Sequence, residues 1–390
     1  MIADPTSMPS AAEIVVLGAG PAGAVAAAEL AARGRDVLLV DRATFPRPKV
    51  CGCCLGPAGV GILASLGLDD LLATATPLAQ VSLGTASGTV DLPFEGSRVL
   101  GRDRLDPALI EAAVARGVRT RFGVRGTVTP DDRVRLGAGP DGEASITPAA
   151  IVVADGLAGG SLAEHPDFEW TIAAGSRFGA GVVVDATADA PRAGDLLMLV
   201  DAIGYLGVVR LPDDRIDLAA AFDAPRVRVA GGPATAAAAL LARHGMPRLA
   251  GLASRARWRG TPTLARRRRC VGRGVIACIG DAAGYVEPFT GEGMTWAMRS
   301  GVEAAAFIDA ALAAGRPLDG WHDRHRRLFR HHHRRCRLVA RSVRHPRLLH
   351  RGAAMLSGLA PIRRMLARVV TGAARPVTTS PPALTTSGAA

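Results

Sequence analysis

The sequence predicts an α/β fold: a parallel sheet at the centre, an inserted mixed β-sheet region, and helices towards the C-terminus. Three observations lead there. The runs EIVVLG (13–18), DVLLVD (36–41) and AAIVVADG (149–156) are continuously apolar, as expected of parallel strands covered on both faces. The first two are joined by PAGAVAAAELAARG (21–34), a helical stretch stopped by Gly34, which completes a β-α-β unit. The same strand signature returns far downstream in GVIACIGDAAG from 274, so distant stretches contribute to one sheet.

Composition supports a globular chain. Its 390 residues, 48% hydrophobic and 21% charged, suit one two-domain unit or two modest domains. No uncharged apolar run reaches the roughly 18 residues of a membrane span, and the start lacks a basic flank followed by an apolar block. A cytoplasmic location is therefore expected. The net charge of +12 comes from 47 basic and 35 acidic residues, with Lys49 the only lysine. Such arginine enrichment reads as compositional bias and does not by itself call for nucleic acid. The six cysteines, at 51, 53, 54, 270, 278 and 336, are too few and too unevenly spaced for a disulfide framework, so free thiols are expected.

Between 78 and 150 short β-like pieces surround a helix at 105–117, and a second β-rich region runs from 175 to 223. After the strand at 274 comes a helix over 293–314, ended by Gly315-Arg316-Pro317. Residues 1–11 read as a flexible arm, and 373–390 as a disordered Pro/Thr/Ser-rich tail.

Gly18-Ala19-Gly20-Pro21-Ala22-Gly23 places G-x-G-x-x-G between a strand and a helix, with Asp41 ending the next strand. Gly18 permits a tight turn, Gly20 lets backbone approach a pyrophosphate, and Gly23 packs helix on strand. The helix N-terminus offers N–H groups to the anion. An acid at 41 suits an adenosine ribose without a 2′-phosphate, which leaves FAD or NAD. Gly137 to Gly142 matches the same pattern but lacks a following helix, so it is read as a hairpin turn. Gly280-Asp281 follows an apolar strand, where α/β sheets bind ligands. Gly291 and Gly293 then allow backbone to approach a flat ligand at the start of a helix.

Together, GAGPAG, FPRPKVCG (45–52), Arg102 in GRDRLD, Asp155-Gly156 and GDAAGYVEPFTGEGM resemble the FAD-dependent oxidoreductases of the glutathione-reductase-like fold. Within these the chain looks like the branch of aromatic-hydroxylase-type monooxygenases, geranylgeranyl reductases and flavin halogenases, over residues 12–312. The resemblance implies an FAD-binding Rossmann-like domain in three pieces, 12–77, 98–170 and 265–317. It further implies a substrate-binding β domain of 78–97 and 171–264, then basic C-terminal helices over 318–372. It implies that Gly18, Gly20, Pro21, Ala22 and Gly23 hold the diphosphate, with Asp41 and Arg42 at the adenosine ribose. Arg102 lies beside the phosphates, and Gly280-Asp281 binds the ribityl chain. Cys51-Gly52 and the loop Pro288 to Met294, with Gly291 and Gly293, approach the isoalloxazine. Asp155-Gly156 serves FAD and the transient visit of NAD(P)H.

The implied reaction is FAD-dependent oxidation, monooxygenase-like, with NAD(P)H and oxygen acting on a hydrophobic polyketide, aromatic or isoprenoid compound. The alternatives are a geranylgeranyl-reductase-like alkene reductase, and a basic membrane- or nucleic-acid-binding flavoprotein without turnover. Tryptophan halogenation is disfavoured because the four tryptophans form no W-x-W-x-I-P pattern. The strand GYLGVVRLP (204–212) reads equally as a pocket lining or as core. No catalytic acid or base is assigned. No metal is expected, since C-x-C-C lacks a second ligand pair and consecutive His331, His332 and His333 cannot share one helical face. Nucleic acid is not expected, because no aromatic stacking platform is interleaved with the C-terminal arginines. Met355, Leu359, Ile362, Leu366 and Val369 recur at helical spacing. They suit either a capping helix or peripheral contact with the inner face of a membrane.

Overall fold

In the computed structural model, residues 11–139, 142–287, 289 and 291–357 are described. A six-stranded sheet runs in the order Gly272–Arg273, Ile276–Cys278, Ala150–Val153, Ile14–Leu17, Val37–Asp41, Arg119–Phe122. Its pairs are parallel, apart from the terminal hairpin formed by the first two strands. The strands Ile14–Leu17 (β1), Val37–Asp41 (β2) and Ala150–Val153 are buried along their whole length, which explains their unbroken apolar sequences.

Both faces are covered closely. On one, the helix Pro21–Ala31 (α1) crosses the helix Gly293–Ala313, and a Cβ at Gly301 would stand 2.5 Å from the Ala22 carbonyl oxygen. On the other lies a three-stranded sheet of Gly126–Val128, Val134–Gly139 and Gly142–Ile146, where a Cβ at Gly126 would meet Leu17 at 2.4 Å. The second G-x-G-x-x-G match is thus in a hairpin, as read from the sequence, although Pro140 and Asp141 at its tip lie outside the described residues.

The second large element is an eight-stranded mixed sheet. Its order is Arg259–Thr263, Phe178–Asp185, Arg215–Phe222, Gly204–Arg210, Asp195–Asp201, Thr76–Thr85, Gly88–Val99, Cys54–Leu55. Side chains alternate across it. Leu199, Leu206, Val208, Leu218 and Phe222 join a core that includes Ala237, Leu241 and Leu249 of two short helices, Pro233–Arg243 and Pro247–Arg255. Leu196, Met198, Tyr205 and Val209 face the other way. The strand at 204 is therefore both core and pocket wall.

Three departures from the sequence reading have physical causes. The helix expected at 105–117 is Arg102–Val114: it starts a turn earlier, after Gly101, carries Pro107 in its interior, and stops before Gly117, whose φ is +90°. The helices Pro57–Ser65 and Asp69–Thr74 were not foreseen, being too short to show a period. The alanine-rich helix Pro233–Arg243 was missed because alanine marks no face.

The basic C-terminal segment forms the helices Gly320–Ser342 and Pro346–Ser357. Trp321, His325, Phe329 and Cys336 are its buried stripe at helical spacing. The Trp321 indole N–H donates to the Cys278 carbonyl at 2.9 Å, tying this helix to the edge of the parallel sheet. His332 stacks on Trp296 at 3.9 Å, and burial pushes its pKa down to about 3, so it is neutral at ordinary pH. Among the described residues no group of three His, Cys, Asp or Glu is placed to hold a metal ion, and no helix is long and apolar enough to cross a membrane. Leu359, Ile362, Leu366 and Val369 lie outside the described residues.

Trp321→Ala removes a fully buried indole and its hydrogen bond, and is expected to cost about 3–5 kcal/mol of stability. Urea unfolding checks this; a cost below about 1 kcal/mol would show that the helix does not depend on that anchor.

Candidate functional site

A cavity of about 480 Å³ opens at the carboxyl ends of β1 and β2 and extends onto the face of the eight-stranded sheet that carries Leu196, Met198, Tyr205 and Val209. Its upper end is shaped by close backbone approach. Gly18 has φ +108°, and a Cβ there would stand 2.4 Å from the Ala154 carbonyl oxygen. A Cβ at Gly23 would stand 1.8 Å from the Gly18 carbonyl oxygen, so only glycine lets α1 start where it does. A Cβ at Gly20 would meet only the guanidinium ends of Arg102 at 3.7 Å and Arg47 at 3.9 Å. No side chain caps α1, and Pro21 occupies its first position, so its first-turn N–H groups are left to a ligand. A glycine-edged space, uncapped N–H groups and two guanidinium ends fit a diphosphate.

Asp41 completes this end. Its carboxylate accepts hydrogen bonds from the Ala19 N–H at 2.8 Å and the Ala43 N–H at 2.9 Å, with Arg47 at 3.6 Å. These bonds hold the carboxylate beside the glycine turn. Arg102 forms a two-bond pair with fully buried Asp106, at 2.6 and 2.8 Å, which fixes its guanidinium beside the cavity.

Asp281 sits on a single 3-10 turn, Gly280–Ala282, directly after the strand Ile276–Cys278. Burial pushes its pKa up to about 6, against the opposing charges of Lys49 and Arg102. The same enclosure, with Arg102 and Arg47 nearby, lowers the pKa of Lys49. Glu292, just before the helix Gly293–Ala313, is pushed up to about 8 by burial and accepts from the Trp296 indole N–H at 3.2 Å.

Every expected site residue in the described part is at or beside this cavity. Gly18, Gly20, Pro21, Ala22, Asp41, Arg42, Cys51, Gly52, Arg102, Asp155, Gly156, Asp281, Gly291, Gly293 and Met294 line it. Gly23 and Gly280 stand behind the lining as packing positions; a Cβ at Gly280 would meet Ala22 at 2.7 Å. Pro288 lies outside the described residues. Asp155 is turned back on its own loop, accepting from the Ser161 N–H at 2.9 Å, with its other oxygen buried and unpaired.

The sequence reading missed Arg47, Asp217 and Tyr285 as site residues, all of which line the cavity. Lys49 and Tyr205 line it too; the first belongs to the segment 49–52 that the resemblance brings to the flavin, and the second to the strand read equally as pocket lining or as core. Arg47 had no spacing to mark it, and Asp217 sits in an ordinary strand sequence that only pairing across the sheet brings here.

The cysteine cluster joins the two ends of the cavity. The Cys53 thiol, hydrogen-bonded to Cys51, and then the charge of Arg102 outweigh burial and bring the Cys51 pKa down to about 6. Cys53 and Cys54 are pushed up, so both stay thiols.

Residues 11–199 match a family described as FAD binding domain. Menaquinone reductase of Mycobacterium tuberculosis is 36% identical over 135 residues, 33% of this chain and 33% of that protein. The alignment thus spans about a third of the length of the curated relatives it matches. A flavoprotein/dehydrogenase from Cytophaga hutchinsonii superposes with a TM-score of 0.79 at 17% identity, covering 93% of each chain. A geranylgeranyl bacteriochlorophyll reductase-like protein from Thermoplasma acidophilum gives 0.73 at 15% identity, covering 92% of this chain and 96% of that one. These structural likenesses establish the fold. The chain carries an FAD-binding domain and the fold resembled by its sequence motifs.

In FAD-free protein, alkylation of Cys51 by iodoacetamide is expected to rise with pH through a midpoint of about 6, because the thiolate is the reacting form. Bound FAD should slow it. Mass spectrometry of the labelled peptide checks this; a midpoint near the ordinary thiol value of about 8.5 would contradict the assigned environment.

Proposed function

Taking the chain as an FAD-dependent enzyme of this branch, we propose that it is a reductase of an apolar, unsaturated small molecule, an isoprenoid or a quinone bearing an isoprenoid tail. One observation carries the reading: the cavity at the glycine turn continues onto an apolar sheet face, closed by Leu264, Tyr285 and Phe289. The relatives named menaquinone reductase support it.

When bound, FAD supplies a ring system that stores an electron pair and passes it on as hydride. In this reading Gly18, Gly20 and the first turn of α1 would hold the diphosphate, with Arg47 and Arg102 balancing its charge. Asp41 would accept from the adenosine ribose with Arg42 at the rim, and Asp281 from the ribityl hydroxyls. Gly291, Gly293 and Met294 would lie along the ring system, and the helix Gly293–Ala313 would direct its positive end there. NAD(P)H would serve as a visiting reductant near Asp155-Gly156. Leu196, Met198 and Val209 would hold the substrate's apolar part and exclude water.

The same apolar wall suits the monooxygenation with NAD(P)H and oxygen that the sequence reading placed first. The two are separated by anaerobic single turnover of dithionite-reduced enzyme with a short-chain menaquinone. Reduction yields a product heavier by two hydrogens without oxygen. A product formed only when air is admitted, and heavier by one oxygen atom, would replace this reading with monooxygenation.

Asp281→Ala is expected to weaken FAD binding by about 10- to 100-fold, the equivalent of ~1.5–3 kcal/mol for hydrogen bonds to a charged group. Fluorescence titration measures it. Unchanged affinity would remove the ribityl assignment.

A further inference from the structure

The carboxyl of Asp217 has no part in the reading above, yet it is the acid on the sheet wall of the cavity. It stands on the strand Arg215–Phe222 and is 4% exposed. Register explains its surroundings. Asp217 pairs with Val209 on one side and Val183 on the other, and Val209 pairs with Leu196, so the carboxyl stands in an otherwise apolar row. The adjoining row is Gly181, Ala219, Gly207 and Met198, whose small residues leave a shallow floor beside the carboxyl.

This acid is poorly compensated. Its Oδ2 is buried without a hydrogen-bond partner. Arg215, two residues earlier on the same strand, is turned to Asp213 at 2.8 Å and Asp103 at 2.7 Å instead. Burial first, and then the neighbouring Cys51 charge, pushes the Asp217 pKa well above the carboxylate range, against a hydrogen bond with Cys53. Asp103 acts in the same direction. A neutral carboxyl in an apolar wall can donate a hydrogen bond and give up a proton, neither of which a carboxylate can do.

We propose that Asp217 is the acid that delivers the proton during substrate reduction, an inference that rests on the reductase reading. The substrate double bond takes a hydride from the reduced cofactor at one carbon. At the other carbon a C–H bond forms as the Asp217 O–H bond breaks. The saturated product leaves, Asp217 is left as the carboxylate, and a solvent proton restores it. The electron pair comes from the nicotinamide or dithionite that reduced the cofactor.

The test compares wild type, Asp217→Asn and Asp217→Glu as holoenzymes. Dithionite-reduced protein is mixed anaerobically with a short-chain menaquinone, and reoxidation of the flavin is followed. Asp217→Asn is expected to slow reoxidation by roughly 100- to 10,000-fold, the range of a general acid, while binding FAD as wild type does. Asp217→Glu should recover part of the rate. Independently of turnover, the infrared spectrum at neutral pH should contain a protonated-carboxyl band that Asp217→Asn removes. Reoxidation of Asp217→Asn at the wild-type rate, or a carboxyl region unchanged by the substitution, overturns the assignment. A wild type reoxidised by neither the menaquinone nor a short-chain polyprenol overturns the reductase reading, and this role with it. A working wild type with an unaffected variant overturns the Asp217 assignment alone.

Discussion

The approach of Gly18 to Ala154 is the constraint on which the rest of the site depends. Ile14–Leu17 and Ala150–Val153 run parallel and in register, so their following turns meet at the same edge of the sheet. A side chain at 18 would collide with the carbonyl of 154, and one at 23 with the carbonyl of 18. With both positions bare, α1 begins immediately at the sheet edge. Its uncapped first turn then faces the cavity and is not covered by the loop after residue 154. The Ala19 N–H to Asp41 bond fastens this turn to the neighbouring strand, which makes β1, α1 and β2 one unit.

Charge is distributed along the cavity in a graded way. Arg47 and Arg102 flank the space at Gly20, Lys49 and Asp281 occupy the middle, and the sheet end is mostly apolar, with Asp217, the tyrosines and, on the edge strand, Arg259 and Thr261 as its polar groups. Arg102 is paired with Asp106 and Arg47 stands 3.6 Å from Asp41, and in the proposed reading a diphosphate would add a further counter-charge between the two guanidinium ends. The enclosure that raises Asp281 and lowers Lys49 has one physical origin, since burial disfavours the charged form of either sign. Cys51 goes the other way because a thiol donor and Arg102 both favour its thiolate.

Local physics made the glycine end of the cavity legible. The turn at 18–23, Asp41 and the strand-end Asp281 are each defined by neighbours in sequence, where a glycine or an acid has a mechanical reason to stand. The sheet end was not legible for the opposite reason. Asp217 reaches the cavity only because Arg215–Phe222 pairs with Gly204–Arg210, and the alternation of RIDLAAAF shows two faces without saying which one meets a cavity. The parallel pairing of Thr76–Thr85 with Asp195–Asp201 joins segments more than a hundred residues apart and leaves no local mark. Trp321 likewise became an anchor only through its bond to the Cys278 carbonyl.

The account rests on an extended flavin dinucleotide filling one continuous cavity from the glycine turn to the sheet. Isothermal titration of the flavin-free protein with FAD and, separately, with riboflavin tests this most directly. The account predicts saturation at one FAD per chain with riboflavin bound far more weakly, because the diphosphate end supplies much of the grip. Equal affinity for the two ligands, or no saturable heat with FAD, would contradict it.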